Sequence, residues 1–234
     1  MHFNILTLFP DFFPGALGAS VTGRALKRKQ WSFKTIDIRD FAIDNYRSVD
    51  DTPFGGGPGM VMRADILEAA FLSLENPGRR IYLSPRGKPL SQPLVKEMSL
   101  MPDITLLCGR YEGVDQRFLD AYEFEEISIG DFVLAGGEIP AMGLMESCIR
   151  LLPGVLGNAL TPDEESFSEN LLEYPHYTKP AKWTTKNGQK LNVPDILRSG
   201  DHGKIARWRK NAALETTRQR RPELLKSGYD EKKR

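Results

Sequence analysis

The chain has 234 residues, of which 40% are hydrophobic and 27% are charged. It can therefore bury a sizeable core, in one large domain or two unequal ones, and disorder throughout the chain is excluded. No stretch reaches the roughly 18 apolar residues of a membrane span, and the N-terminus lacks a basic segment that leads into an apolar one, so neither a membrane anchor nor a signal peptide is expected.

Strand-like and helix-like runs alternate along the N-terminal part of the chain. The strand-like runs are residues 4–9, 31–38, 79–84, 103–109 and 125–134. The helical patterns are residues 21–30, 63–75 and 91–100, followed by a longer one over about 138–152. This alternation predicts an α/β fold, with βαβ units around a mostly parallel sheet.

The pattern over residues 138–152 predicts a helix that buries one face on this sheet. Its apolar stripe consists of Ile139, Met142, Met145, Ile149 and Leu152. After Gly157 the sequence becomes acidic and unpatterned, which predicts a mobile connector over residues 158–173. The expected domains are therefore residues 1–157, this acidic linker, and residues 174–234.

The C-terminal part is basic, since residues 186–234 hold 14 Lys or Arg against 6 Asp or Glu, while the whole chain has a net charge of +1. A polyanionic partner and an ordinary solvated tail both fit this charge. Capping candidates at Ser199 and Asp201 precede a pattern that predicts a basic helix. The apolar stripe is Ile205, Trp208 and Ala212, and Lys204, Arg207 and Lys210 point away from it.

The two cysteines, Cys108 and Cys148, both lie in apolar runs. Such a setting favours reduced core thiols over a disulfide or a metal site. Reduced thiols indicate a cytosolic protein.

Glycine-rich loops follow three of the predicted strands. Neither GGGPG at 55–59 nor AGGE at 135–138 supplies the Lys-Ser/Thr of a P-loop, and no dinucleotide fingerprint is present. The loops YLSPRG, CGRYEG and SIGDFVLAGGEIP instead end successive strands, at the edge where open α/β sheets bind ligands. Their glycines would let the backbone approach a flat ligand such as adenine, although each glycine could also serve only a turn or a helix start.

A series of motifs resembles one known family, the bacterial tRNA (guanine-37-N1)-methyltransferases called TrmD, of the SPOUT methyltransferase superfamily. The motifs are VTGRALK, VDDTPFGGGPGM, IYLSP, LCGRYEGVD, SIGDFVLAGGEIPAM, PGVLG, ESF, PHYTKP and RRPELL, in this order over nearly the whole chain. The resemblance implies a deep trefoil knot in a mostly parallel sheet, a small helical tRNA-binding C-terminal domain, and a cytoplasmic homodimer with its active site at the interface. Residue patterns alone predict an ordinary doubly wound sheet, because true knots are rare.

The resemblance also implies that S-adenosylmethionine binds in the three loops. The residues that match the cofactor motif are Tyr82, Leu83, Ser84, Pro85, Gly109, Tyr111, Glu112, Ser128, Ile129, Gly130, Asp131, Phe132, Val133, Leu134, Gly136 and Gly137. Tyr82 and Leu83 could equally be strand core.

Methylation at guanine N1 removes a proton and places negative charge on O6, so the site needs a general base and a positive group. The resemblance assigns the positive group to Arg150, for which a surface pair with Glu146 is the alternative role. It assigns the base to Glu165, where the family usually has aspartate. Asp163 could substitute for it, or these acids could simply solvate a loop. Glu112 is a further candidate for contacting the guanine.

Magnesium is implied by the resemblance alone. Glu112, Asp115 and Asp131 make a site conceivable, but their spacing does not demonstrate one, and we assign no metal ligands.

The resemblance places tRNA contacts in two regions. Arg47 and Asp50 belong to the loop before GGGPG, for which a tight capped turn is the alternative. Arg207, Arg209 and Lys210 of the basic helix would meet phosphates, which give affinity and salt dependence.

Two other functions remain open from the sequence. One is a SPOUT methyltransferase that acts on another RNA site. The other is a catalytically silent tRNA-binding homologue, which only the glutamate at position 165 favours.

Overall fold

The computed structural model describes residues 1–157, 165–167 and 169–230, the last four of these as backbone only. The chain forms two compact units, Met1–Gly157 and Asn158–Arg234. The first unit ends at the residue where the sequence places the end of the first domain.

The first unit is built on a parallel sheet of five strands in the order β2-β1-β6-β5-β7. These strands are β1 (His2–Thr7), β2 (Ser32–Asp37), β5 (Arg79–Pro89), β6 (Asp103–Leu107) and β7 (Glu125–Ser128). Two further short strands, β3 (Asp50–Asp51) and β4 (Val61–Met62), pair antiparallel outside the main sheet.

Helices cover both faces of this sheet. They are α1 (Ser20–Lys27), α2 (Ala64–Leu72), α3 (Gln92–Ser99), α4 (Gln116–Ala121) and α5 (Glu138–Ile149). Short 3₁₀ turns lie at Pro10–Phe12, Gly15–Gly18 and Ile38–Phe41. The predicted α/β class with a mostly parallel sheet is therefore confirmed.

The core has two layers because successive residues of a strand point to opposite faces. In β1, Ile5 packs with α1, α3 and α5, whereas Leu6 packs with α2 and α4. In β6, Leu106 and Leu107 divide between the same two layers, and all four side chains are fully buried. A strand buried on both faces reads as a continuous apolar run, which is why these strands were recognisable.

Three predicted elements differ from the structure. The run 79–84 predicts a strand that ends in a loop, but β5 continues to Pro89, with a shift in its register with β7 between Leu83 and Lys88. The run 125–134 is a strand only as far as Ser128, since the Ser128 hydroxyl bonds the backbone N–H and C=O of Gly130 and bends the chain there. Helix α5 ends at Ile149, and Ile139 of its predicted buried stripe is 52% exposed. Helix α5 is apolar on almost every side, so its periodicity does not define which face is buried.

The second unit contains a two-stranded hairpin and two helices. They are β8 (Lys182–Thr184), β9 (Lys190–Asn192), α6 (His202–Arg220) and α7 (Pro222–Asp230), with a 3₁₀ turn at Asp195–Arg198. The Asp201 side chain caps α6 by accepting from the Lys204 N–H at 3.0 Å. The predicted stripe of Ile205, Trp208 and Ala212 is half-buried and the three cations Lys204, Arg207 and Lys210 are exposed, as the pattern indicates.

Both cysteines are free and fully buried, as predicted. Burial raises the pKa of Cys148 to about 12, and burial together with the Glu138 charge raises the pKa of Cys108 well above its ordinary value. No helix among the described residues is long and apolar enough to cross a membrane.

Candidate functional site

Three loops from adjacent strands enclose a cavity of about 330 Å³ in the first unit, here called the loop cavity. The strands β6, β5 and β7 are neighbours in the sheet and parallel, so the loops after β6 and β7 meet at one edge. The YLSPRG segment lies beside them within β5, where the register with β7 shifts between Leu83 and Lys88. The three loops are YLSPRG, CGRYEG and SIGDFVLAGGEIP. The volume lies at the lower end of the roughly 300–1,000 Å³ of small-molecule sites.

All the residues that match the cofactor motif line the loop cavity except Asp131, which lies outside the lining. The lining also includes residues that the sequence did not single out: Val61, Arg86, Arg110, Gly113, Val114, Ile127, Ala135 and Pro140. Most are neighbours of motif residues, so extending each motif by one position would have found them. Val61 comes from β4, and no local signal links it to the cavity.

Two glycines of the loop cavity lie where a side chain has no room. A Cβ on Gly109 would stand 2.7 Å from the ring of Tyr82, and a Cβ on Gly137 would stand 2.7 Å from the Cα of Cys108. The Gly137 N–H also donates to the Gly109 carbonyl at 3.0 Å. The second and third loops are therefore in backbone contact, which explains the glycine at 137, while the Tyr82 ring explains the glycine at 109.

Several exposed apolar side chains line the loop cavity. Tyr111 and Phe132 are each about half exposed, and Val133 is 83% exposed. Tyr82, by contrast, is buried, and its burial raises the pKa of the phenol. The lining combines apolar side chains with polar and backbone groups, which suits a flat heterocycle whose faces need apolar contact and whose ring nitrogens need hydrogen bonds.

A buried ion pair joins the second and third loops. The Arg110 guanidinium lies 2.8 Å from the Glu138 carboxylate, whose side chain is 1% exposed. The Thr7 hydroxyl donates to the other oxygen of Glu138 at 2.8 Å. Arg110 also lies over the ring of Phe9, at 4.3 Å from its centroid.

The glycine-rich loop before β4 is attached to the rim of the loop cavity. The Glu112 N–H donates to the Met60 carbonyl at 2.9 Å, and the Met62 N–H donates to the Gly113 carbonyl at 2.9 Å. A Cβ on Gly59 would stand 2.4 Å from the Glu112 side chain, so the two are in contact. The structure thus brings Glu112 between the cavity and the loop that the resemblance assigns to tRNA.

Arg47 and Asp50 lie at the start of that loop. Arg47 forms an ion pair with Asp40, and its Nε donates to the Arg39 carbonyl at 3.3 Å. Asp50 is in β3 and pairs with Met62 of β4. This short β3–β4 pairing holds the loop in place.

Arg150 immediately follows α5, and its N–H continues the helix by donating to the Glu146 carbonyl at 3.0 Å. Its side chain is half-buried. Glu165 belongs to the second unit, and the alternative base Asp163 lies outside the described residues.

The described residues contain no group of three or more His, Cys, Asp or Glu side chains placed to hold a metal ion. Asp115, one of the conceivable magnesium ligands, instead accepts from Arg117 at 2.6 and 3.0 Å and caps α4. These bonds lower the pKa of Asp115. The residues present therefore do not fit a preformed magnesium site.

The basic residues Arg207, Arg209 and Lys210 are exposed on α6. Arg209 lies over the ring of Tyr174, at 5.0 Å from its centroid. The three exposed cations lie on more than one side of α6, where they add to the positive charge of this helix.

A parallel sheet with helices on both faces and a cavity of backbone-rich loops at its carboxyl edge defines an α/β protein with a candidate small-molecule site. The sequence profile described as tRNA (guanine-1)-methyltransferase TrmD matches residues 1–227. The chain belongs to this family, which is part of the SPOUT superfamily.

Several curated proteins are similar to the chain over almost its whole length. A tRNA (guanine-N(1)-)-methyltransferase of Mesorhizobium japonicum is 52% identical over 225 residues, which cover 95% of each chain. Proteins of the same name are 52% identical in Cereibacter sphaeroides strain KD131 (96% of this chain, 91% of the relative) and 54% identical in Rhodopseudomonas palustris strain HaA2 (94% and 86%).

Proposed function

We propose that the protein transfers a methyl group from S-adenosylmethionine to N1 of guanosine in tRNA, at position 37 next to the anticodon. Family membership and the names of the relatives support the reaction. In this chain the proposal rests on the loop cavity, because most of its lining comes from the three segments that match the cofactor motif.

S-adenosylmethionine fits the loop cavity by shape and chemistry. The backbone of Gly109 and Gly137 is part of the cavity lining, where no side chain keeps it from an adenine, and the exposed rings of Tyr111 and Phe132 line the same cavity. When bound, the cofactor supplies a methyl group on a positively charged sulfur, which leaves as a neutral thioether. The contact of Gly137 with the Cys108–Gly109 backbone accords with the interleaved loops of a trefoil knot.

Three residues carry the chemistry in this proposal. Glu165 accepts the N1 proton of the guanine, which makes N1 the nucleophile. Arg150 stabilises the negative charge that develops on O6. Glu112 contacts the guanine from the cavity rim, where its side chain also lies against Gly59.

The tRNA contacts follow the distribution of charge and loops. Arg47 and Asp50 face the anticodon side, and Arg207, Arg209 and Lys210 of the second unit bind phosphates. Residues 158–173 serve as the linker between the two domains.

The active form in this proposal is a cytoplasmic homodimer, with the active site at the subunit interface. Phe9 and Phe12 are partly exposed and in ring contact at 6.0 Å between centroids, and this apolar surface would be covered in such an interface. A tRNA substrate accords with the cytoplasmic location.

The decisive experiment uses two tRNA transcripts that are identical except for guanine or adenine at position 37. Each is incubated with the protein and labelled S-adenosylmethionine, and the digested nucleosides are identified by mass spectrometry. We expect label in 1-methylguanosine, and only from the guanine transcript. Cofactor binding without transfer to either transcript would contradict the proposal and favour a silent tRNA-binding protein or another RNA substrate.

A further inference from the structure

The segment that carries Glu165 is fastened to helix α6 within the second unit. We call residues 165–167 and 169–174 the acidic segment. The Leu172 N–H donates to the Thr217 hydroxyl at 2.8 Å, and this hydroxyl donates in turn to the Ala213 carbonyl at 2.7 Å. Thr217 is fully buried, and its bond to the Ala213 carbonyl is shielded from water, while the bond from Leu172 is partly buried.

Further hydrogen bonds close the acidic segment on itself, next to Glu165. The Glu173 N–H donates to the Ser166 hydroxyl at 3.0 Å, and the Phe167 N–H donates to the Leu171 carbonyl at 2.7 Å. The residue after Glu165 is thereby tied to the residue after Leu172. The bond that holds Leu172 therefore also restrains the backbone at Glu165, because Glu173 follows Leu172 in the chain and bonds Ser166, which follows Glu165.

Aromatic contacts extend the same attachment along α6 and just beyond its end. Arg221 lies 6.0 Å from the ring centroid of Phe167, and Arg209 lies 5.0 Å from that of Tyr174. Such contacts are worth about 0.5–1 kcal/mol each at exposed sites, and less at the outer limit of 6 Å. They can align the segment, but the buried bond at Thr217 is its most specific point of attachment.

The hydroxyl of Thr217 is not needed by helix α6 itself. Threonine is a poorer helix former than alanine or leucine, and a threonine that bonds the carbonyl four residues earlier gives the helix no net gain. A hydroxyl here is useful because it offers an acceptor to the Leu172 N–H of the acidic segment.

We propose that Thr217 is a positioning residue, which holds the acidic segment on the basic helix α6 so that the Glu165 carboxylate keeps the placement it needs for proton removal. This inference rests on the proposed function. The proposal predicts that RNA binding and catalysis are linked. Helix α6 presents Arg207 and Lys210 to phosphates, and it also holds the acidic segment that carries Glu165. A displacement of about 1 Å in a catalytic group can cost on the order of a hundredfold in rate.

The test compares two variants of the full-length protein. Thr217→Val keeps the shape and removes the hydroxyl, whereas Thr217→Ser keeps the hydroxyl and removes a methyl group. For Thr217→Val we expect kcat for the guanine-37 transcript to fall by at least about tenfold, while KM for S-adenosylmethionine stays within about twofold because the loop cavity is unchanged. Thr217→Ser should remain within about threefold of wild type in kcat.

Amide hydrogen exchange supplies a readout that does not depend on activity. Thr217→Val should lose protection at Leu172 and keep it across α6, whereas Thr217→Ser should keep both. Circular dichroism confirms that each variant is folded.

Three outcomes would overturn the proposal. One is a wild-type kcat in Thr217→Val despite lost protection at Leu172, and another is an equal fall in kcat for both variants, which would indicate packing alone. The third is unchanged Leu172 protection in Thr217→Val. An inactive wild-type protein would instead refute the proposed function itself, and with it any catalytic role for Thr217.

Discussion

The guanidinium of Arg110 and the carboxylate of Glu138 meet at 2.8 Å beside the loop cavity, with Glu138 almost completely buried. Arg110 stands between Gly109 and Tyr111 of the second loop, and Glu138 is the first residue of α5, directly after Gly136 and Gly137. The pair therefore ties together two loops that would hold the cofactor. Its position in the first turn of α5 also places the negative charge near the positive end of the helix.

Removing one partner of this pair should be costly, because it leaves the other charge buried. We expect Glu138→Ala to lower the free energy of unfolding by about 3–5 kcal/mol. Glu138→Gln keeps an acceptor for the Thr7 hydroxyl and should cost less, about 1–3 kcal/mol. Urea unfolding followed by circular dichroism measures both.

The control is Glu75→Ala, at an exposed acid between α2 and β5, which should change stability by less than about 0.5 kcal/mol. A Glu138→Ala protein as stable as this control would show that the pair does not support the loops.

A matched pair of glycine substitutions tests the shape of the loop cavity. The Cβ in Gly137→Ala would press on the Cys108 Cα at 2.7 Å and on the Gly109 nitrogen at 3.0 Å, and backbone atoms cannot move aside as a flexible side chain can. We expect affinity for S-adenosylmethionine, measured by isothermal titration calorimetry, to fall by at least about tenfold, because the second and third loops are forced apart.

Gly143→Ala, in the same region of chain, is the control. A Cβ at Gly143 meets nothing within 4 Å, and alanine in a helix interior is more stable than glycine by about 0.5–1 kcal/mol. This variant should bind S-adenosylmethionine normally and melt at a slightly higher temperature. Equal affinities of the two variants for S-adenosylmethionine would show that close packing at Gly137 is not needed for cofactor binding.

The sequence was informative where a local pattern decides the structure. Strands β1 and β6 are apolar runs that are buried on both faces, as in Leu106 and Leu107, and the cavity loops could be found because they adjoin short strand-like runs of this kind. The Asp201 cap of α6 could be recognised for the same reason, since a cap is defined by residues a few positions apart.

The parts that sequence could not predict depend on contacts between distant residues. Thr7 and Glu138 are 131 positions apart, and nothing near Thr7 indicates that its hydroxyl serves the third loop. The bond from Leu172 to Thr217 spans 45 positions. The helix α4 was also missed, because its six residues QRFLDA are too few to show a period.

In the proposed function Arg150 is needed for methyl transfer but not for cofactor binding, so its substitution should affect the two differently. We expect Arg150→Ala to reduce methyl transfer to the guanine-37 transcript by at least about a hundredfold, since the charge on O6 loses its stabilising partner. Binding of S-adenosylmethionine, measured by calorimetry, should remain within about twofold of wild type.

The conservative variant Arg150→Lys should recover part of the rate, because it retains the charge but not the planar guanidinium. Near-normal transfer by Arg150→Ala would remove this arginine from the mechanism.

Glu165 tests the identity of the base. Glu165→Gln keeps the size of the side chain and removes its basicity, so single-turnover transfer should fall by about 10²–10⁴. Glu165→Asp restores the residue usual in the family and should retain transfer. Glu169→Gln makes the same change on the same segment, at an exposed position, and should leave the rate within about threefold.

Asp163→Ala is expected to keep activity as well, although Asp163 lies outside the described residues. If Asp163→Ala were inactive while Glu165→Gln stayed active, the base would be Asp163.

The positive charge of helix α6 predicts how tRNA affinity depends on salt concentration. Arg207 is exposed on α6, and in the proposed function it neutralises a phosphate. The logarithm of tRNA affinity should fall linearly with the logarithm of salt concentration, and Arg207→Ala should reduce this slope by about 0.7–0.9 because one fewer counterion is released. Lys96→Ala removes the same charge from the exposed side of α3 in the first unit and should leave the slope unchanged.

Filter binding at four salt concentrations measures the tRNA affinity of all three proteins. Equal slopes for wild type and Arg207→Ala would exclude a phosphate contact at Arg207 and leave the positive charge of α6 as a solvated surface.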